Sequence, residues 1–223
     1  MTTCYAALDD RLLVIEDDDW AARERPVADS IECVAAAPAR PDRVFVGTVD
    51  AGLRYSSDGG DSWTTALRTD DRVTAVTVSP HDPDVIWAGT EPSRVYRSTD
   101  GGASWTERPG LRDLPSADRW SFPPRPHTHH VRWIAVDPAD HDRIYVAIEA
   151  GALVRTEDGG ETWQDHPEGA RKDNHTLGTH PDAPGRVYTA AGDGYAESSD
   201  GGDTWSYPQA GLDHRYVWGL AVG

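Results

Sequence analysis

Short apolar segments alternate with turn-forming residues along the whole chain. One group of segments ends near a proline: Ile31–Pro38, Val73–Pro80, Val131–Pro138 and Asn174–Pro181. A second group, rich in β-branched and aromatic residues, follows after Asp/Pro turns: Val44–Gly47, Ile86–Gly89, Ile144–Ala147 and Val187–Ala190. No helical period accompanies them. Many short strands separated by turn signals predict an all-β protein.

An eight-residue pattern, Ser/Thr-x-Asp-x-Gly-x-x-Trp, recurs in phase with these strands. Its four copies, called boxes below, are Ser56, Asp58, Gly60 and Trp63; Ser98, Asp100, Gly102 and Trp105; Thr156, Asp158, Gly160 and Trp163; and Ser198, Asp200, Gly202 and Trp205. The box aspartates are 42, 58 and 42 residues apart, so the middle spacing carries an insertion. A unit of about 42 residues fits one four-stranded blade, and the repeat predicts a β-propeller of antiparallel blades.

The two ends of the chain together resemble one further unit. Val217–Val222 matches the first strand of a unit, while Thr3–Leu8, Leu12–Glu16 and Trp20–Arg25 match the second, third and fourth, with a degenerate box at Asp17-Asp18-Asp19-Trp20. Joined, they would complete a fifth blade and remove exposed edge strands. We therefore predict a single domain of about five blades over residues 1–223. The alternative is a fragment of a six- or seven-bladed propeller.

The chemistry of the boxes predicts a structural role. Ser/Thr and Asp side chains hydrogen-bond nearby backbone amides in tight turns. Paired glycines such as Gly59 and Gly60 supply positive φ at little steric cost. One carboxylate per turn is too few for a Ca²⁺ site. Four equal turns therefore indicate a repeated structural need and not a repeated active site.

With the strand before it and the strand after it, each box resembles the Asp-box (BNR) repeat family over nearly the whole chain. That family includes sialidases, xyloglucan-type glucanases, sortilin-like receptors and photosystem-assembly factors. The chain is most similar to the uncharacterised glycosyl hydrolase-like members, which are often longer. The resemblance implies a propeller with its boxes on the blade periphery, away from the active face. It therefore implies the fold and not the activity.

Composition and charge limit the classes of partner that the protein is expected to bind. The net charge is −17 and Lys172 is the only lysine, which resembles salt-adapted proteins; an acidic protein from a GC-rich genome is the alternative. This charge repels phosphate backbones, so we expect no nucleic-acid partner. No signal peptide and no apolar stretch of about 20 residues is seen, so we expect a cytoplasmic protein without a membrane partner. Cys4 and Cys33 are expected to be reduced and buried, with a bridge between them as the alternative.

The face opposite the boxes is predicted to carry the binding site. Its loops are Gly47–Gly52, Gly89–Arg94, Ala147–Gly151 and Ala190–Tyr195, and the long Glu107–His130 link leads into it. Long loops in compact domains are commonly functional. The ligand-binding candidates are Trp120 and seven residues expected to share one cleft: His129, His130, Arg132, Glu149, His175, His214 and Arg215. Arginines would bind anionic groups and the aromatic rings would stack on or cover a ligand.

Three functional hypotheses follow. The favoured one is a binding or scaffold propeller that recognises a small polar or carbohydrate ligand, or a protein, because no acid–base pair stands out. The alternative is a glycoside hydrolase of sialidase or related type, with Glu91, Glu149 and Asp193 as weak catalytic candidates; no diagnostic sialidase motif is present. No cofactor is expected. A divalent metal at His127, His129, His130 and His175 is a third hypothesis, set against ordinary solvated histidines.

Overall fold

The computed structural model describes residues 3–16 and 20–222. Within these residues, five antiparallel sheets account for the regular structure, together with two 3₁₀ turns at Leu111–Asp113 and Ala117–Arg119. The all-β prediction is confirmed. Of the degenerate box proposed at 17–20, residues 17–19 lie outside the described residues. Trp20 is 76% exposed and does not pack as a box tryptophan would.

The strands follow the predicted order. The first sheet contains β1 (Thr3–Leu8), β2 (Arg11–Glu16) and β3 (Ala22–Pro26). The second contains β4 (Ile31–Ala37), β5 (Arg40–Thr48), β6 (Leu53–Ser56) and β7 (Thr64–Leu67). The third contains β8 (Arg72–Val78), β9 (Ile86–Glu91), β10 (Val95–Ser98) and β11 (Thr106–Arg108). The fourth contains β12 (Val131–Val136), β13 (Ile144–Ile148) and β14 (Ala152–Thr156), and the fifth β15 (Asn174–Gly178), β16 (Val187–Ala191) and β17 (Gly194–Ser198).

The last two sheets have three strands where four were expected. After their boxes, only isolated bridges remain, Arg155 with Gln164 and Glu197 with Ser206. Proline follows shortly in both cases, at Pro167 and Pro208. Because proline has no N–H to donate, a fourth strand cannot extend past these points.

Residues 217–222, predicted as a first strand, belong to none of the strands in the described part of the chain. They run beside β15 instead. The Val217 N–H donates to the Ala191 carbonyl at 3.0 Å, and the Thr176 hydroxyl donates to the Trp218 carbonyl at 3.2 Å. The fifth blade shared by the two ends therefore stays a prediction.

By contacts, the chain divides into two compact units, Met1–Thr90 with Tyr96–Glu107, and Glu91–Val95 with Arg108–Gly223. In the first unit, Trp63 packs on a cluster that includes Leu12 and Val44, and Trp105 on one that includes Phe45. In the second unit, Trp205 packs on the cluster around Tyr145. These box tryptophans therefore cover apolar cores, where large rings bury the most area.

Each box turn repeats one hydrogen-bond pattern. In the second box, the Ser98 hydroxyl donates to Asp100 Oδ1 at 2.8 Å and accepts the Gly102 N–H at 2.9 Å. Asp100 also accepts the Ser104 N–H at 2.8 Å and the Ser104 hydroxyl at 2.5 Å. Gly101 and Gly102 have φ of 74° and 92°, which glycine adopts readily. The Ser98, Asp100 and Ser104 side chains therefore satisfy one another within the turn.

The cysteines differ from the prediction. Both are free thiols; Cys4 is exposed and Cys33 half-buried. Cys4 is exposed because it lies on β1, the edge strand of a three-stranded sheet. The expectation of two buried thiols was wrong.

Candidate functional site

The candidate site begins with a bulge that recurs at the start of the first strand in three sheets. Pairing of β4 with β5 skips Glu32, pairing of β12 with β13 skips Arg132, and pairing of β15 with β16 skips His175. Each is the second residue of its proline-terminated segment, Ile31–Pro38, Val131–Pro138 or Asn174–Pro181, so the three positions are equivalent in the repeat. A bulge leaves one residue unpaired and re-aims its side chain, and such bulges are common next to active sites.

Strand register places the second unit's bulges away from its boxes. Val131, beside the bulge, pairs with Ile148 at the far end of β13, whereas Ile144 at the near end pairs with Thr156, the first box residue. In the fifth sheet, Ala191 pairs with Gly194 at one end, and Val187 pairs with the box residue Ser198 at the other. Within each sheet, therefore, bulge and box occupy opposite ends.

Glu149 is the centre of the cluster of polar side chains at the bulge end of the second unit. It lies in the turn between β13 and β14, and its side chain is 12% exposed. His130 Nε2 lies 2.9 Å from Glu149 Oε2, and Arg132 Nε lies 3.3 Å from the same oxygen as an ion pair without hydrogen-bond geometry. The same turn also contacts Asp173, the residue before β15, because the Ala150 N–H donates to Asp173 Oδ1 at 3.1 Å.

The electrostatics of Glu149 favour its ionised form. Burial alone raises the pKa of Glu149, but the hydrogen bond with His130 and the electrostatic interactions with His130, Arg132 and His175 outweigh it. The net effect is a pKa below the ordinary value. Glu149 is therefore a carboxylate whose neighbours stabilise its charge.

His175 forms the floor of the cluster, with its side chain fully buried. Its Nδ1 lies 3.0 Å from the Val217 carbonyl oxygen, and its Nε2 lies 3.7 Å from Asp173 Oδ1 and 3.5 Å from the Tyr216 hydroxyl. Trp218 stacks on the imidazole with ring centroids 4.5 Å apart. Tyr216 and Trp218 remain 52% and 61% exposed, so they present aromatic surface to solvent directly beside buried charge.

Asp173 was missed in the sequence. It precedes β15 as His130 precedes β12, in each case two residues before the bulge residue. Extending the aligned segments Val131–Pro138 and Asn174–Pro181 by one residue toward the N-terminus would have found it. Burial together with the charges of Asp173 and Glu149 raises the pKa of Tyr216.

The chain is similar in structure to several solved proteins. It matches the GH74 enzyme of Niastella koreensis with a TM-score of 0.69 at 19% identity, over 88% of this chain and 34% of that one. It matches the GH74 xyloglucanase of Xanthomonas campestris with a TM-score of 0.68 at 17% identity, over 92% and 35%. It matches a YCF48 protein bound to D1 peptide with a TM-score of 0.62 at 22% identity, over 90% and 61%.

These proteins are β-propellers. The chain has the β-propeller fold. It spans about a third of the length of the GH74 enzymes and 61% of that of the YCF48 protein. Scans against protein-family models and curated proteins give no match. At these identities the likeness establishes the propeller fold alone.

Within the described residues, Glu149 makes no hydrogen bond or ion pair with the other predicted ligand-binding residues, Trp120, His129, His214 and Arg215. His214 and Arg215 are exposed, and neither makes a hydrogen bond or ion pair within the described residues. Trp120 is buried and donates from Nε1 to the Ser116 hydroxyl at 2.9 Å, so its ring is not free to cover a ligand. His129 packs edge-on against Trp120, and burial lowers the pKa of His129.

Of the catalytic candidates in the propeller, only Glu149 lies in the cluster. Glu91 is paired with both Arg125 Nε and NH2, at 2.7 and 2.6 Å. Asp193 is exposed, with Arg171 NH1 at 4.0 Å. The carboxylate close to Glu149 is instead Asp173.

One group of side chains in the described part of the propeller has the composition and spacing of a metal site. Ligand atoms of Glu149, Asp173 and His175 all lie within 4.8 Å of one another. Of the four histidines predicted as ligands, only His175 belongs to this group. His127 is exposed, and His130 faces Glu149 as its hydrogen-bond partner.

No helix among the described residues is both long enough and apolar enough to cross a membrane.

Proposed function

We propose that this chain is an Asp-box propeller that binds a polar ligand, in the first place a carbohydrate, at the Glu149 cluster. The observation that carries the proposal is the pairing of exposed rings with buried charge. Tyr216 and Trp218 offer apolar faces to solvent, while Glu149 and His175 lie behind them. Binding sites combine such aromatic surface with a few convergent polar groups.

The donors and acceptors of the cluster suit hydroxyl groups. Arg132 and Asp173 are each about one-third exposed, so a ligand can reach a donor and an acceptor side by side. Trp and Tyr provide rigid amphipathic surface for the apolar face of a sugar ring. The GH74 neighbours include a xyloglucanase, which makes xyloglucan oligosaccharides the first probe.

A second candidate function is glycoside hydrolysis. It is favoured by the closeness of two carboxylates, since Glu149 and Asp173 oxygens lie within 4.8 Å of each other. Retaining glycosidases hold their two carboxyl groups about 5–5.5 Å apart. Binding is preferred because both His130 and Arg132 stabilise Glu149 as a carboxylate, and a glycosidase also needs a carboxyl group that donates a proton.

The test is a titration of the intact chain with xyloglucan oligosaccharides, followed by calorimetry. We expect Trp218→Ala to weaken binding about tenfold or more. Removing the ring removes a stacking contact, and a loss of roughly 1.4 kcal/mol of binding free energy is a tenfold loss of affinity. Trp20→Ala is the matched control, since Trp20 is an exposed tryptophan of the first unit.

Equal affinity of the Trp218→Ala and Trp20→Ala proteins would rule out the aromatic platform. If wild type binds none of a wider oligosaccharide panel, the carbohydrate proposal fails and peptide ligands, suggested by the YCF48 complex, become the next probe. Release of new reducing ends by wild type, and its loss in Glu149→Gln, would replace binding by hydrolysis.

A further inference from the structure

We infer that Glu149, Asp173 and His175 form a binding site for one divalent transition-metal ion. The three residues come from different places in the second unit: the turn after β13, the position before β15, and the bulge of β15. Their ligand atoms converge within 4.8 Å. The inference deepens the proposed function and rests on the same cluster, so its test uses the metal alone.

The orientation of His175 is the first argument. The Val217 carbonyl 3.0 Å from Nδ1 can only accept, so Nδ1 carries the proton. In the neutral ring, Nε2 then holds a lone pair directed at Asp173, at 3.7 Å. A backbone carbonyl that fixes one nitrogen while the other faces a ligand site is the usual arrangement of metal-binding histidines.

The charge balance is the second argument. Two carboxylates and an imidazole lone pair repel one another, and none of them can donate a hydrogen bond to the others in these states. The Tyr216 hydroxyl, 3.5 Å from Nε2, is at the limit of hydrogen-bond distance. A divalent cation would neutralise both carboxylates and accept the lone pair of this fully buried ring.

The hydrogen bonds that hold the two carboxylates, and the oxygens they leave without a donor, are the third argument. Glu149 uses Oε2 for both His130 and Arg132, and Asp173 uses Oδ1 for the Ala150 N–H. Within the described residues, Glu149 Oε1 and Asp173 Oδ2 have no hydrogen-bond partner. Asp173 Oδ1 is also the oxygen that faces His175 Nε2, at 3.7 Å, so the Ala150 N–H orients the Asp173 carboxylate toward the imidazole. Such hydrogen bonds form the second layer of contacts that orients metal ligands.

Gly192 leaves room for the Asp173 carboxylate. A Cβ added at Gly192 would lie 2.0 Å from Asp173 Oδ2, so only glycine leaves that carboxylate in place. The Gly192 N–H also donates to the Asp173 carbonyl at 2.9 Å.

The donor set indicates the class of metal. One imidazole with two carboxylates suits Zn²⁺ and its first-row neighbours better than Ca²⁺ or Mg²⁺, which prefer oxygen alone. Bonds of about 2.0–2.2 Å require the three side chains to draw closer than 4.8 Å. Asp173, partly exposed, is the ligand with room to move.

The experiment is a calorimetric titration of the chelator-treated intact chain with Zn²⁺, without sugar. We expect one ion per chain, and at least tenfold weaker binding in Asp173→Asn and in Gly192→Ala. His141→Gln is the matched control, because His141 is an exposed histidine of the same unit paired with an aspartate, Asp142, at 3.0 Å. Its affinity should equal that of wild type.

A second measurement needs no variant. X-ray absorption at the zinc edge of loaded wild type should contain scattering from one imidazole. Absence of that signal, absence of one-to-one binding, or unchanged affinity in Asp173→Asn would overturn the inference. Oligosaccharide titration in chelator separates the two proposals: sugar binding without zinc binding refutes the metal site alone, and zinc binding without sugar binding refutes the ligand proposal alone.

Discussion

At the scale of single residues, the box turn contains one hydrogen-bonding residue more than the Ser/Thr-x-Asp-x-Gly-x-x-Trp pattern specifies. The residue before each tryptophan also carries a hydroxyl, and it donates twice to the box aspartate: Ser62, Ser104, Thr162 and Thr204. This feature was visible in the sequence, since all four positions are Ser or Thr. The pairing of each carboxylate oxygen with its donor was not visible in the sequence, because it depends on the backbone geometry of the turn.

These hydrogen bonds predict a dependence of stability on acid. Those from the hydroxyl and N–H of Ser104, and from Ser98, lower the pKa of Asp100 from 3.8 to about 2. A carboxyl group with a depressed folded-state pKa adds stability above its ordinary pKa and loses it as pH falls through the folded value. We therefore expect the free energy of unfolding in urea to fall between about pH 4 and pH 2.

Asp100→Asn should reduce both the stability at pH 7 and the steepness of this acid loss. Asp213→Asn serves as control, because Asp213 is exposed and makes no hydrogen bond within the described residues. An Asp100→Asn protein with the acid profile of wild type would contradict the assignment.

At the scale of elements, strand positions were predictable and bulges were not. β1 begins and ends where the sequence placed it, because its largely apolar segment is closed by the turn at Asp9 and Asp10, which is a local signal. A bulge depends on pairing between two strands, so it appears only when register is known. Arg132 and His175 were aligned correctly as equivalents, yet their aim toward Glu149 came from the bulge.

The close contact between a box and its neighbouring sheet predicts an effect of one methyl group. A Cβ on Gly102, whose φ is 92°, would lie 2.9 Å from the Phe45 ring. Gly211 has a similar φ of 87° with nothing within 4 Å of the added atom. Both alanine variants bear left-handed strain of about 1–2 kcal/mol, and only Gly102→Ala adds overpacking of about 1–3 kcal/mol.

Urea unfolding should therefore rank Gly102→Ala as the less stable of the two. Equal losses in both variants would mean that the Phe45 contact is unimportant.

At the scale of the whole molecule, the charge of −17 predicts that salt stabilises the fold. Mutual repulsion of like charges opposes the compact state, and salt screens it over a Debye length that shrinks from about 10 Å at 0.1 M to about 3 Å at 1 M. We expect the melting temperature at pH 7 to rise between 0.1 and 2 M KCl. At pH 4.5, close to the sequence pI of about 4.7, the rise should be smaller. Equal rises at the two pH values would exclude charge screening as the cause.

At this scale, the sequence predicted some residues of the candidate site and not their arrangement. Glu149, His130, Arg132 and His175 were named from sequence because they lie on loops and strand starts that the repeat aligned. His214 and Arg215 were named for the same reason, but they point into solvent. Side-chain convergence is a property of three dimensions, and no spacing along one chain specifies it.

The self-contained box turn bears on how such a chain arises. Because Ser98, Asp100 and Ser104 satisfy one another within seven residues, a copy carries its own stabilising contacts wherever it is duplicated. Extra segments can then be accepted between copies without disturbing either one, as with the long stretch before His130. Gene duplication followed by insertion thus becomes a tolerated evolutionary route, in which new chemistry is tried between conserved turns.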